Sequence, residues 1–346
     1  WTGIGLAWVP SGNEIWFTAT RPDNFGPPHV HAVSLSGIDR TVQRAPDWLV
    51  LHDISSDGRV LLSRNTNRID IACKAPGDAR ERDLSWLLAS SVSGLSANGE
   101  TLIFTDPLQA RPSGNAPIFL RRLDGPSAVT IGEGRDGALS PDGRWVLAVS
   151  GENLVLLPTG AGAIVTLPKG DALRVRAGHW IGDSKRVVFT GVPEDGKPKG
   201  YIQEIPAGLP RAITPDGVEL SAKSAVHDDN FVLGRVGTAW KLFPIQGGDG
   251  QLVPSLRPED VPLQWSDDGK YIYTVDNPDW PRPPAFNVFR VALTTGARVF
   301  WKTLTPSDPV GVEDMRETAV ITPDGQSYCY SYGRRLGSLF VVKGLQ

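Results

Sequence analysis

His29 and His31 are the first residues in the chain whose type and spacing suggest chemistry. Side chains alternate along an extended strand, so these two imidazoles share a face and could begin a zinc or copper site. The chain has only five histidines, and no second pair lies close in sequence. Packing is therefore the simpler role for this pair, and no metal or other cofactor is expected. Gly94-Leu95-Ser96-Ala97-Asn98 approaches the Gly-x-Ser-x-Gly turn that exposes a nucleophilic serine, but lacks its final glycine. Asp23-Asn24-Phe25-Gly26 comes near the magnesium-holding segment of protein kinases without a glycine-rich phosphate loop or catalytic His-Arg-Asp. His52-Asp53 and His179-Trp180 suit structural hydrogen-bond networks. Asp57, Asp142, Asp268 and Asp324 precede glycines and read as turn residues whose carboxylates accept local N–H bonds. A calcium role would need carboxylates from several elements to converge. No catalytic residue set emerges.

The elements that must carry these residues are repeated. Leu139-Ser140-Pro141-Asp142-Gly143-Arg144-Trp145-Val146 runs an apolar segment into an Asp-Gly turn and out into a β-rich run. Asp-Gly favours a tight hairpin because glycine adopts positive φ at little cost. Equivalent anchors are Gly12, Gly58, Gly99, Gly143, Ser184, Asp229, Gly269 and Gly325, spaced 46, 41, 44, 41, 45, 40 and 56 residues apart. A period of roughly 40–45 residues with four strands is that of a β-propeller blade. The reading is all-β: a single propeller over residues 1–346, with eight four-stranded blades and seven as the alternative. The blades fall near residues 4–46, 47–86, 90–132, 136–168, 175–214, 218–255, 260–303 and 318–346. His227-Asp228-Asp229 is the least regular anchor, because it lacks glycine. Small residues on the innermost strands (Gly5, Gly94, Gly137, Gly178) fit a crowded axis.

Within each unit, the link between the second and third strands alternates in length. It is long near 21–28, 106–115, 191–200 and 276–284, and short near 65–68, 151–152, 235–238 and 333–337. Four long loops would then frame one mouth of the ring, and loops on a rigid scaffold are where binding concentrates. They present Arg21, Phe25, Arg111, Lys197, Asp279, Trp280 and Arg282, with Asp23, Glu194, Asp195, Lys199 and Asp276 beside them. Ordinary solvated loops are the alternative reading. The last unit supplies three strands before the chain ends, so either its outer strand is expected from a segment upstream of Trp1 or the blade has three strands.

The 38 glycines and 29 prolines suit turn-rich β-structure, and 40% hydrophobic residues suffice for a core. A net charge of −3 gives no support to nucleic-acid binding. No apolar run is long enough for a spanning helix. Cys73 and Cys329 fall in the second and eighth units, with the first unit between them around a closed ring. They are expected to be separate, packed thiols.

The Pro-Asp-Gly boxes followed by aromatic and aliphatic runs resemble TolB-type, WD-repeat-like propeller repeats of bacteria. The resemblance narrows at Glu81-Arg82-Asp83-Leu84-Ser85-Trp86, Leu154-Val155-Leu156-Leu157-Pro158-Thr159-Gly160, Ile213-Thr214-Pro215-Asp216-Gly217, and Thr322-Pro323-Asp324-Gly325 through Tyr332 with Leu339-Phe340-Val341-Val342. These are similar to the C-terminal propeller of membrane-bound, eukaryotic-like serine/threonine kinases of acidobacterial type. The resemblance implies a sensor-like domain outside the cytoplasmic membrane, in the periplasm, with the membrane reached only through an upstream segment. Its partner would be a protein or small ligand at the long-loop face. Any kinase activity would reside in a preceding domain. A stand-alone periplasmic TolB-like scaffold is the alternative, and a propeller hydrolase or lactonase a third.

Overall fold

The computed structural model describes all residues except 1, 21–26, 46–47, 171–172, 195, 222, 224–225, 277–282 and 346, and the side chains of 2, 173, 276 and 316–318. The chain forms two compact units: Ile69–Gly333, and Trp1–Arg68 with Arg334–Gln346.

Among the described residues, the sheets of the larger unit form six propeller blades. Blade I holds Ser91–Leu95, Thr101–Thr105, Ala116–Arg122 and the first half of the long strand Ala128–Leu139. The second half of that strand opens blade II, followed by Trp145–Ser150, Asn153–Pro158 and Val165–Thr166. Blade III runs through Leu173–Trp180, Arg186–Pro193, Lys199–Glu204 and Arg211–Ala212. Blade IV comprises Val218–Leu220, Phe231–Val236, Ala239–Pro244 and Gln251–Leu252, with Val226–His227 paired to its second strand. Blade V comprises Asp260–Trp265, Tyr271–Asp276, Phe286–Ala292 and Arg298–Leu304. Blade VI takes Val312–Ile321 and residues 328–333 from the C-terminal part, and residues 69–74 and Arg82–Asp83 from the N-terminal part.

Apolar side chains between successive blades close this ring. Ile103 and Ile118 of blade I pack with Val146 and Ala148 of blade II. Leu147 and Val149 meet Val175 and Phe189 of blade III. Val188 and Ile202 meet Val218 and Val232 of blade IV. Leu233 and Trp240 meet Trp265 and Ile272 of blade V. Tyr273 and Val288 meet Tyr328 and Tyr330 of blade VI, and Ile71 and Cys73 return to Val92 and Phe104 of blade I. Burial of this kind, at roughly 25 cal/mol per Å² of apolar surface, is the main driving force for such a ring. At the axis, a Cβ on Gly94 would lie 3.1 Å from the Gly137 carbonyl oxygen, which explains why the inner strands carry small residues.

The smaller unit contains the sheet Thr2–Trp8, Glu14–Thr20, His29–Ser34 and Asp39–Gln43. It also holds Trp48–Ile54, residues 60–68 and residues 334–342. Its core gathers Trp16, Val30, Leu49, Leu51, Val60 and Leu62.

The class is the expected one, and all eight anchors are turns. φ is 71° at Gly12, 77° at Gly58, 70° at Gly99 and Gly143, 66° at Gly269 and 69° at Gly325; Ser184 and Asp229 stand in the same left-handed region at 54° and 48°. The irregular sixth anchor keeps its turn because Asp228, at 50°, and Asp229 tolerate that conformation.

The strands are shared out differently from the count of eight separate blades. Residues 65–68 and 333–337 were expected to be hairpin links. Both lie inside continuous strands, Val60–Lys74 and Tyr328–Val342, which are neighbours in one sheet. Neither link carries an Asn-Gly or Asp-Gly turn signal, so the backbone stays extended and the two long strands pair with each other. The outer strands of blade VI therefore come from residues 69–83, and not from a segment upstream of Trp1. The same pairing corrects the expectation for the cysteines. Cys73 and Cys329 are disulfide-bonded, with Cα atoms 4.1 Å apart, because their strands are adjacent.

Candidate functional site

The innermost strands of the six blades line an axial channel in the larger unit. A cavity of about 140 Å³ is bounded by Ser93 (blade I), Asp136 (II), His179 (III), Lys223 (IV), Gln264 (V) and Ile321 (VI). It continues into a wider space of about 720 Å³, lined by turn residues that include Asn98 and Asp142 and by Arg122 and Trp180. This mouth opens on the Asp-Gly turn side of blades I and II.

Lys223 follows the short strand Val218–Leu220, which lets its side chain enter the channel. Its Nζ donates to the Ser93 carbonyl oxygen at 3.4 Å, so it reaches from blade IV to blade I on the opposite side of the ring. Burial lowers its pKa, and the Asp136 carboxylate only partly offsets this. Asp136 has φ of 56°, unusual for a residue with a Cβ, and its carboxylate also lies 3.7 Å from Arg135 Nε.

His179 stands beside Lys223. Burial, reinforced by the Lys223 charge, lowers its pKa to about 4, against a backbone hydrogen bond at Ser221 that favours the charged form. At neutral pH its ring is uncharged. The Nε2 atom is buried and has no hydrogen-bond partner among the described residues. Trp180 is fixed by its indole N–H, which donates to the Ala138 carbonyl oxygen at 2.9 Å. The channel thus offers the Lys223 amino group, the His179 imidazole and the Asp136 carboxylate, with the Gln264 amide beside them.

Of the seven residues expected on the long loops, Arg21, Phe25, Asp279, Trp280 and Arg282 lie outside the described residues. Arg111 pairs at 2.6 Å with Glu133 on the strand Ala128–Leu139 of the same blade. Lys197 is exposed. Neither lines the channel or the mouth described above. Lys199, a neighbour of Lys197, is held by Asp216 at 2.8 Å. His31 stacks on Phe17, with ring centroids 5.7 Å apart. His52 Nε2 lies 2.9 Å from Ser63 Oγ across a strand pair. Among the described residues no group of three or more His, Cys, Asp or Glu side chains is placed to hold a metal ion.

Lys223, Asp136 and Gln264 were not singled out by sequence, and His179 was read only as structural. The available signal was position: each lies on, or next to, an innermost strand.

No family model matches the chain, and no curated protein matches it. Solved structures are similar in fold. A putative TolB from Agrobacterium tumefaciens is 16% identical, superposes with a TM-score of 0.55, and matches 78% of this chain and 99% of its own. TolB from Acinetobacter baumannii is 16% identical with a TM-score of 0.36, over 72% of this chain and 56% of its own. A puromycin hydrolase is 16% identical with a TM-score of 0.46, over 94% of this chain and 57% of its own. The fold of this chain is that of a TolB-like β-propeller.

Proposed function

We propose that the chain is a non-catalytic recognition propeller, which takes its ligand in the axial channel of the larger unit and at the turn-lined mouth. The observation that carries this reading is Lys223, which sets an amino group deep in a channel lined by all six blades. Burying an ionisable group is costly, and a channel that keeps one is suited to recognition. A protein partner would dock on the long loops of the larger unit that carry Arg111 and Lys197.

The disulfide between Cys73 and Cys329 supports an oxidising, extracytoplasmic setting, since such bonds are rare where thiols are kept reduced. No helix among the described residues is long and apolar enough to cross a membrane. Together with the resemblance to kinase-associated propellers, the disulfide favours a sensor domain held outside the bacterial inner membrane.

A thermal-shift screen of peptides and small molecules tests the reading. Ligands that stabilise the protein should lose that effect in Arg122→Ala, at the mouth. Ligands sensitive only to Arg111→Ala or Lys197→Ala would move the site to the long loops. Turnover of amide or ester substrates by the purified protein would overturn the non-catalytic reading.

A further inference from the structure

We infer that the axial channel binds a carboxylate group, which the Lys223 side chain receives beside the imidazole of His179. The inference rests on reading the channel as the recognition site and names the chemistry that the site selects.

Three observations carry it. The first is the position of Lys223: its Nζ has a 3.4 Å contact to the Ser93 carbonyl and is attracted by Asp136, while burial still disfavours its charge. An ammonium has three donor hydrogens, so one long bond to a carbonyl leaves capacity for a charged acceptor. A carboxylate at Nζ would supply the counter-charge that burial demands.

The second is His179. Its Nε2 is buried and faces no protein partner among the described residues. An orphaned ring nitrogen in a polar cavity is a place where a ligand completes a hydrogen bond. The backbone hydrogen bond at Ser221 puts the neutral ring's proton on the other nitrogen, so Nε2 is an acceptor: it takes the proton of an entering carboxylic acid while the carboxylate oxygens turn to Lys223, and no net charge is added to the channel.

The third is size and polarity. The enclosed part of the channel, about 140 Å³, accommodates a group of a few heavy atoms and no folded element. Ser93 and Gln264 line it with the charged groups, so water and polar groups are accommodated on several sides. The wider space beyond, about 720 Å³, has room for whatever carries the carboxylate. Asp136 shapes the selectivity. It repels an anion that approaches blade II, and so directs a single carboxylate toward blades III and IV.

Two sources share this chemistry: a free small carboxylic acid, and the free end of an extended peptide. Titration calorimetry with the whole chain separates them. The probes are sodium acetate, acetamide, the tripeptide acetyl-Gly-Gly-Ala as free acid, and the same tripeptide as its amide. Saturable binding of acetate with none of acetamide is expected, and a tighter fit for the peptide acid than for acetate would identify the peptide as the source. Lys223→Met should weaken acid binding at least tenfold without lowering the melting temperature, because Met fills a similar volume and removes a buried charge. His179→Phe should weaken it by a smaller factor.

Equal binding of acid and amide would leave the channel as a recognition site and overturn the carboxylate inference. Acid binding that persists undiminished in Lys223→Met would overturn it as well. No binding of any acid at millimolar concentration would also overturn it, while ligands from the thermal-shift screen that depend on Arg122 would still uphold the recognition reading. If Lys223→Met does not fold, the acid-against-amide comparison on the native protein decides alone.

Discussion

Cys73 and Cys329 lie 256 positions apart in sequence, yet their Cα atoms are 4.1 Å apart on adjacent strands of blade VI. One comes from the N-terminal part of the larger unit and the other from the C-terminal part, so the bond clasps the ring where the chain closes it. Cross-linking restricts the unfolded chain most when the enclosed loop is long. The pair Cys73→Ala, Cys329→Ala should therefore lose about 2–5 kcal/mol of stability, measured by denaturant unfolding. An unchanged unfolding midpoint would show that the apolar contacts of Ile71 and Val92 close the ring unaided.

The Asp-Gly turns depend on a hydroxyl three positions before the anchor. Ser140 Oγ donates to Asp142 Oδ1 at 2.6 Å and accepts from the Trp145 N–H at 3.0 Å. Ser266 does the same with Asp268 at 2.7 Å and Tyr271 at 3.0 Å, and Thr322 with Asp324 at 2.5 Å and Ser327 at 3.0 Å. Ser140 is buried, so Ser140→Ala should cost about 1–2 kcal/mol in chemical denaturation.

These hydroxyls also set a pH dependence. The serine hydrogen bond is the largest cause holding Asp57, Asp142 and Asp268 below the usual carboxylate range. A depressed folded pKa contributes stability that is fully present above the unfolded pKa, near 4, and is lost as pH falls through the folded value. Asp142→Asn keeps an acceptor, as Asn98 does in its own turn, and does not titrate. It should flatten the loss of stability below about pH 4, read from melting temperatures across the acid range.

The turns were the legible part of this fold, since Gly143 and its equivalents announce them locally. Even Ser184 and Asp229 could be placed by spacing, because Ser and Asp bond their own backbone in turns. What local signals could not reveal was pairing. Whether residues 65–68 and 333–337 turn or run straight depends on which strand lies alongside, and the partner is over 250 residues away. The disulfide was hidden for the same reason. Lys223 was hidden by a different one: it follows a three-residue strand with no periodic pattern, and six distant inner strands assemble the channel around it.

His179 gives the channel its own titration. Its pKa of about 4 arises mainly from burial and then from the Lys223 charge, with Asp136 across the same cavity. Because the folded value lies below the unfolded one, near 6.5, this group stabilises the fold fully above about pH 6.5. The contribution is lost as pH falls from there toward 4. In NMR spectra the His179 ring should titrate near pH 4. In Lys223→Met that midpoint should move up, since one cause of the depression is removed. A midpoint that stays put would assign the whole effect to burial.

Glu81 ties two tyrosines of blade VI together. Tyr328 Oη donates to one carboxylate oxygen at 2.6 Å and Tyr330 Oη to the other at 2.7 Å. Burial, followed by these bonds to Glu81, raises both phenol pKa values well above their ordinary position. A raised folded pKa gives stability that is fully present below the unfolded value, near 10, and is lost as pH rises past it. Glu81→Ala strands two phenolic donors in surroundings where Tyr330 is fully buried, and should cost about 1–3 kcal/mol at neutral pH. The same substitution removes the carboxylate that opposes ionisation, so alkaline unfolding should become less steep relative to neutral pH. Ultraviolet titration of phenolate absorbance checks the microscopic claim: Tyr328 and Tyr330 should resist ionisation until the protein unfolds, as should Tyr273, whose pKa burial also raises. If Tyr328 and Tyr330 ionise in the folded native protein together with the half-buried Tyr271, Glu81 does not hold them.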